Sequence, residues 1–148
     1  MLSLTKIFYF EMAHAIHGYR GACKNIHGHS YELHVTVCSP IPYTNYIAPP
    51  GFVIDFKEIK KLVNAVVIDK IDHKLVLSQA YLLEYPSFLI QQNLVAWPAE
   101  PTAENILLFM QKTLAEKLAD NVKLLHLKLY ETKDSYAEWT NDNNFIQH

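Results

Sequence analysis

Three histidines have the types and spacing for metal chemistry. His27-Gly28-His29 sets two imidazoles two residues apart. On an extended strand, residues at i and i+2 point to the same side, so both rings can reach one cation. His14 closes an upstream run in which Phe8, Phe10 and Met12 alternate with Tyr9 and Glu11, and parity puts it on the apolar side. Three neutral imidazoles with no fourth protein ligand describe a catalytic zinc site, which keeps one position open. An isolated His-x-His is also found as an ordinary turn-and-strand feature, with His14 then a hydrogen-bonded core histidine. The metal reading gains weight because all three extend apolar strand faces, where an imidazole needs a compensating partner.

Further groups add acid/base chemistry. Cys23 lies four residues before His27 in a loop bracketed by glycines. A nearby cation and Lys24 would favour its thiolate; the plainer reading is a small buried hydrophobe. Asp72-His73 is a carboxylate–imidazole pair, able to fix a tautomer and raise basicity, or simply a solvated loop pair. Glu131 falls where an apolar strand face would continue. It is either exposed at the sheet's end or poised to bind a cationic or amidine-like group. Cys38, on the other strand face, reads as structural. The remaining histidines, His17, His34, His126 and His148, read as loop, strand-surface and terminal residues.

The elements that must hold these groups follow from periodicity. A strand is expected from Leu4 to Ala15 and a second from His27 to Cys38, with Tyr31, Leu33, Val35 and Val37 on the apolar face. A proline-rich loop leads to a short strand at Phe52-Val-Ile. Asp55 then caps a helix, with Glu58 completing a capping-box pattern and Ile54 and Ile59 placed as a staple. Its buried stripe reads Phe56, Ile59, Leu62, Val63 and Val66. The stretch from about Ser78 to Trp97 has no clear period. Thr102 caps a second helix, with Ile106, Phe109, Met110, Leu114 and Leu118 buried. A last strand runs from about Val122 to Thr132, with Leu125, Leu127 and Leu129 facing inward. Long alternating strands and two helices predict an α+β sandwich: an antiparallel sheet with both helices on one face.

Composition narrows the function classes. The chain has 148 residues, 13 Lys and Arg against 15 Asp and Glu, and is 50% hydrophobic. That suits one globular domain with its own core. No basic stripe suggests a nucleic-acid partner. No apolar run approaches the ~20 residues needed to span a bilayer, so no membrane partner is expected. The N-terminal stretch carries Lys6 and Glu11 and does not read as a secretory signal. Two cysteines suit a reducing, cytoplasmic setting.

The combined motifs resemble the 6-pyruvoyltetrahydropterin synthase / 6-carboxytetrahydropterin synthase family. They are Met12-Ala-His14, Cys23-Lys-Asn-Ile-His27-Gly-His29, Gly51-Phe-Val-Ile-Asp55-Phe, Asp72-His73, Pro101-Thr-Ala-Glu104-Asn, Tyr130-Glu131-Thr and Tyr136-Ala-Glu-Trp139. Within the family, the short Cys-x-x-x-His-Gly-His spacing is similar to the bacterial 6-carboxytetrahydropterin synthases of the queuosine pathway. The resemblance implies a T-fold (tunnelling fold), trimers often stacked as homohexamers, and sites at subunit interfaces. It implies conversion of a pterin triphosphate, 7,8-dihydroneopterin triphosphate, to 6-carboxy-5,6,7,8-tetrahydropterin, acetaldehyde and triphosphate. In that scheme zinc sits on His14, His27 and His29. Cys23 is the general base, and His73, oriented by Asp72, is the second acid/base. Glu131 receives the pterin, and Thr102 and Glu104 help hold the ring unless they serve only to cap the helix. The nearest alternative stops at 6-pyruvoyltetrahydropterin; a non-catalytic zinc- or pterin-binding module is the other. The segment between His73 and Pro101 is longer than the family pattern.

Overall fold

The computed structural model describes residues 1–142, so His148 lies outside the described residues. In chain order the elements are β1 (Ser3–His14), β2 (His27–Cys38), α1 (Phe56–Val63), α2 (Asp69–Ile71), β3 (Lys74–Ser78), α3 (Gln79–Glu84), β4 (Leu94–Trp97), α4 (Ala103–Lys117), β5 (Lys123–Tyr130) and β6 (Tyr136–Thr140). A π-helical stretch, Asn64–Ile68, joins α1 to α2, and a 3-10 turn, Pro86–Ile90, follows α3.

The sheet has six strands in the order β4-β3-β1-β2-β5-β6. β1 pairs antiparallel with β2 along its whole length, from Ser3 opposite Cys38 to His14 opposite His27. β5 and β6 continue the antiparallel half. The other half differs from expectation. β3 runs parallel to β1, and β4 parallel to β3, so the sheet is mixed. Parallel neighbours need a crossover, and α3 with its following turn supplies one between β3 and β4.

Alternation places the core. Phe8, Phe10 and Met12 of β1, Tyr31, Leu33, Val35 and Val37 of β2, and Leu127 and Leu129 of β5 are buried on one face. Ile59, Val63, Ile106, Met110 and Leu114 from α1 and α4 pack against them. Each such aliphatic side chain contributes about 1.5–3 kcal/mol by leaving water. Both long helices therefore lie on one face, as expected.

Three local readings shift. Phe52-Val-Ile is not a strand: Phe52 is exposed, while Val53 and Ile54 tuck inward ahead of α1. Phe56 is exposed, and the buried stripe passes through Ile59, Val63, Val67, Ile68 and Ile71, because the wide π-helical turn takes in an extra residue. On β5 the register slips opposite Thr36 and Val37, so Leu124 rather than Leu125 is buried.

A second, smaller cluster joins Ala15, Leu75, Leu77, Tyr81 and Leu82. Val76 belongs to the main core, so by alternation this cluster lies on the opposite face of the sheet. The short helix α3 covers that face. Among the described residues no helix is long and apolar enough to cross a membrane.

Candidate active site

The open end of the β1–β2 pair carries the three histidines. His14 sits directly opposite His27, and Met12 opposite His29. Gly28 lets the strands close here: a Cβ on it would stand 3.1 Å from the Met12 carbonyl oxygen. The imidazole centroids are 4.6 to 5.2 Å apart. One ring nitrogen from each histidine lies within 4.8 Å of the other two, so the three could hold a metal ion.

The surrounding hydrogen bonds show which nitrogen each ring offers. His14 Nδ1 lies 2.7 Å from the Pro101 carbonyl, and His27 Nδ1 lies 2.8 Å from the Asn25 carbonyl. A carbonyl can only accept, so both Nδ1 atoms carry the proton and both Nε2 atoms of the neutral rings are lone pairs. Those two Nε2 atoms face each other at 3.1 Å. Two lone pairs at that distance repel unless a cation lies between them. His29 Nε2 is buried and has no hydrogen-bond partner among the described residues. Burial lowers the pKa of His14 and of His29, which favours the neutral, ligating form, although the Glu131 charge opposes this at both. Carbonyls that orient the rings through the opposite nitrogen are the usual support of a metal site.

A cavity of about 410 Å³ opens beside His14 and is lined by Cys23, Thr102, Glu104 and Glu131. Cys23 is exposed, in a one-turn 3-10 segment (Ala22–Lys24), and its carbonyl accepts from the Ile16 N–H at 2.8 Å. Lys24 is not beside the thiol in the same cavity. It lines an adjoining one with His17 and Glu84, whose side chains lie 2.7 Å apart. Thr102 caps α4, accepting from the Asn105 N–H at 3.3 Å, so the first turn of α4 forms one wall. Glu131 follows β5, where its N–H donates to the Ser135 carbonyl at 3.0 Å. Its side chain is half-buried, 29% exposed, with Oε1 3.6 Å from His29 Nε2.

The Asp72–His73 pair stands apart from this cavity. Its Oδ1 and Nδ1 are 2.9 Å apart, and the His73 side chain is 77% exposed. Asp72 also accepts from the Glu11 N–H at 2.9 Å, and the His73 N–H donates to the Glu11 carbonyl at 2.6 Å. His73 holds a left-handed backbone, φ 57°, at the turn into β3. It borders a different cavity with Glu11, Ala13, Gly28 and Ser30. His29 also lines that cavity, and Cys23 does not.

Two contributors have no signal in residue type: the Pro101 and Asn25 carbonyls that set the tautomers. A third, Tyr31, was legible as an inward residue two positions after His29. Its hydroxyl is buried without a hydrogen-bond partner among the described residues. Burial first, and then Glu131, push its pKa far up, so it remains a protonated donor.

Fold and site together describe a mixed α+β sandwich in which three imidazoles that could hold a metal ion stand beside a cavity lined by Cys23, Glu104 and Glu131. A family model described as 6-pyruvoyl tetrahydropterin synthase matches residues 3–142, and the chain belongs to that family. It is 32% identical to the 6-carboxy-5,6,7,8-tetrahydropterin synthase of Haemophilus influenzae, across 94% of this chain and 99% of the relative. An uncharacterized protein of Wolinella succinogenes shares the fold with a TM-score of 0.72 at 18% identity, covering 95% of this chain and 98% of that one. The 6-pyruvoyl tetrahydropterin synthase of Caenorhabditis elegans matches with a TM-score of 0.65 at 21% identity and covers 95% of both chains. The fold is the T-fold.

Proposed function

We propose that this chain converts 7,8-dihydroneopterin triphosphate and water into 6-carboxy-5,6,7,8-tetrahydropterin, acetaldehyde and triphosphate, as a zinc-dependent enzyme of queuosine biosynthesis. The observation that carries this reading is the single cavity that gathers Cys23, Thr102, Glu104 and Glu131 beside His14, one of three imidazoles able to hold a metal ion. Relatives named for the carboxy-forming reaction support it.

His14, His27 and His29 would hold the zinc ion through the nitrogens that face one another. A zinc ion there supplies Lewis-acid polarisation of the substrate's side-chain hydroxyls. Cys23 takes up and returns a proton on the pterin side chain. Glu131 accepts hydrogen bonds from the pterin amino group and ring N–H, which suits a two-oxygen acceptor. The Thr102 hydroxyl accepts at the helix cap but keeps its own proton free to donate, and Glu104 lies two residues on, in the first turn of α4 on the same wall. Triphosphate leaves first, and carbon–carbon cleavage then releases acetaldehyde.

His73 is the second acid/base in this scheme, with Asp72 fixing its ring. Their separation from Cys23 within one chain supports a site completed by a neighbouring copy. The two outer strands, β4 and β6, leave sheet edges for such copies to pair with. A trimer, stacked into a homohexamer, fits this need. The free cysteines Cys23 and Cys38 agree with a cytoplasmic setting.

The family's own description favours a second reading, a reaction that stops at 6-pyruvoyl tetrahydropterin. Product analysis separates the two. The zinc-loaded protein is incubated with 7,8-dihydroneopterin triphosphate, with mass spectrometry of the pterin and a parallel acetaldehyde assay. A carboxypterin with equimolar acetaldehyde is expected. A pyruvoyl product without acetaldehyde supports the second reading, and an unconsumed substrate defeats both.

A further inference from the structure

The two histidines with orienting carbonyls are held in unequal ways. His27 Nδ1 donates to the Asn25 carbonyl, two residues away on the same stretch of chain. His14 Nδ1 donates to the Pro101 carbonyl, 87 residues away, and both residues are buried. A carbonyl that distant can orient a ring only if its own segment is kept in place.

Part of the holding is local. The Pro101 ring locks φ, and the residue has no N–H to anchor it. The Thr102 N–H donates to the Glu100 carbonyl at 2.9 Å, closing a three-residue turn centred on Pro101. The Asn105 side-chain amide donates to the same carbonyl at 2.9 Å, and the Asn105 N–H donates to Thr102 Oγ1 at 3.3 Å. These bonds fix the turn to the first turn of α4.

The tie toward β1 is made by the Glu100 side chain. Its Oε1 accepts from the His17 N–H at 2.6 Å. An ionised acceptor makes this bond stronger than one between neutral groups. His17 lies three residues after His14, so the two segments are joined twice: His14 Nδ1 to the Pro101 carbonyl, and the His17 N–H to the Glu100 carboxylate. The chain between His14 and His17 is itself fixed. Ala15 is fully buried, and the Ile16 N–H donates to the Cys23 carbonyl at 2.8 Å.

We propose that Glu100 is a positioning residue for the metal site: its carboxylate, held by the His17 N–H, keeps the Pro101 carbonyl on His14 Nδ1 and so keeps the His14 Nε2 lone pair facing the other two imidazoles. This rests on the reading that His14, His27 and His29 hold zinc. Loss of such outer support typically lowers metal affinity by about 10–100-fold.

The donor is a main-chain N–H, which a substitution of His17 would leave in place, so the test falls on Glu100. Two conservative variants separate reach from charge. Glu100→Asp keeps the charge but is one methylene too short for the N–H. Glu100→Gln loses the charge but keeps an acceptor oxygen at the same reach. Zinc affinity is measured by competition with a chromophoric chelator, and the cobalt(II)-substituted proteins are compared by visible absorption. Glu100→Asp should bind zinc about tenfold more weakly and show an altered cobalt spectrum. Glu100→Gln should bind zinc as the wild type does, with the wild-type spectrum. Wild-type zinc affinity in Glu100→Asp overturns the positioning role and leaves the zinc reading standing. So does a loss in Glu100→Gln that equals or exceeds that in Glu100→Asp, since charge rather than reach would then matter. Weakened zinc binding in Glu100→Asp with an unchanged cobalt spectrum also overturns it. A wild-type protein that binds no zinc overturns the zinc reading, and the proposal with it.

Discussion

The histidine end of β1–β2 and the β3–α3–β4 segment both lean on β1, but different forces organise them. At the histidine end the order comes from polar geometry. Two carbonyls fix two rings, and their Nε2 atoms face each other at 3.1 Å. The β3–α3–β4 segment carries few groups able to do chemistry. Its order comes from burial on both faces, with Val76 in the main core and Leu75 and Leu77 in the second cluster. One region depends on which atoms meet, and the other on how much surface is covered. Damage at the first should therefore reach turnover without unfolding, and damage at the second should unfold without a chemical signature.

The largest expected effect tests the first region. His27→Ala removes one of the three facing nitrogens and should lower turnover by about 10³-fold, the scale of several kcal/mol of Lewis-acid stabilisation. Metal analysis of the purified variant should show the loss directly, with the circular dichroism spectrum of the fold retained. Full metal occupancy in this variant would remove the three-imidazole site from the comparison.

Cys23→Ala sharpens the same side. It should cost about 10²–10⁴-fold in kcat, the usual worth of a positioned acid/base group, while metal content stays unchanged. Wild-type turnover would move the base role elsewhere and leave the cation site intact.

Leu77→Ala probes the second region. Its side chain is fully buried on the face that α3 covers. Urea unfolding should show about 2–5 kcal/mol of lost stability, with metal affinity unaffected in the fraction that remains folded. Metal loss in step with a small stability change would mean that the two regions are not independent.

The smallest effect lies where the regions meet, at the wall formed by α4. Thr102→Ala removes the N-cap acceptor for Asn105 and should cost about 1 kcal/mol in denaturant unfolding. A rise in KM beyond that stability change would show that the hydroxyl also serves the ligand.

The same contrast explains what could be read in advance. Alternation exposed β1, β2 and most of β5 because each has one wet face and one dry face. His14, His27 and His29 were legible because an imidazole on a dry face demands a partner. Leu75-Val-Leu77 carried no alternation, since both of its faces are covered, and so β3 gave no strand signal. β4 was hidden for a different reason: it is a four-residue edge strand whose parallel pairing depends on a crossover. The stripe of α1 was displaced by a π-helical turn, and the face of Leu125 by a register slip; neither has a periodic signature.

By itself the sequence determined the faces of β1 and β2, the two long helices with their Asp55 and Thr102 caps, and the residues whose chemistry could bind a cation or move a proton. These follow from local periodicity and from the chemistry of single side chains. Only the tertiary structure decided that the Pro101 carbonyl, 87 residues along the chain, sets the His14 tautomer. It also decided that His73 borders a cavity that Cys23 does not line. Those relations join residues far apart in sequence, and a pattern of neighbours carries no information about which distant backbone atom will come within hydrogen-bond distance.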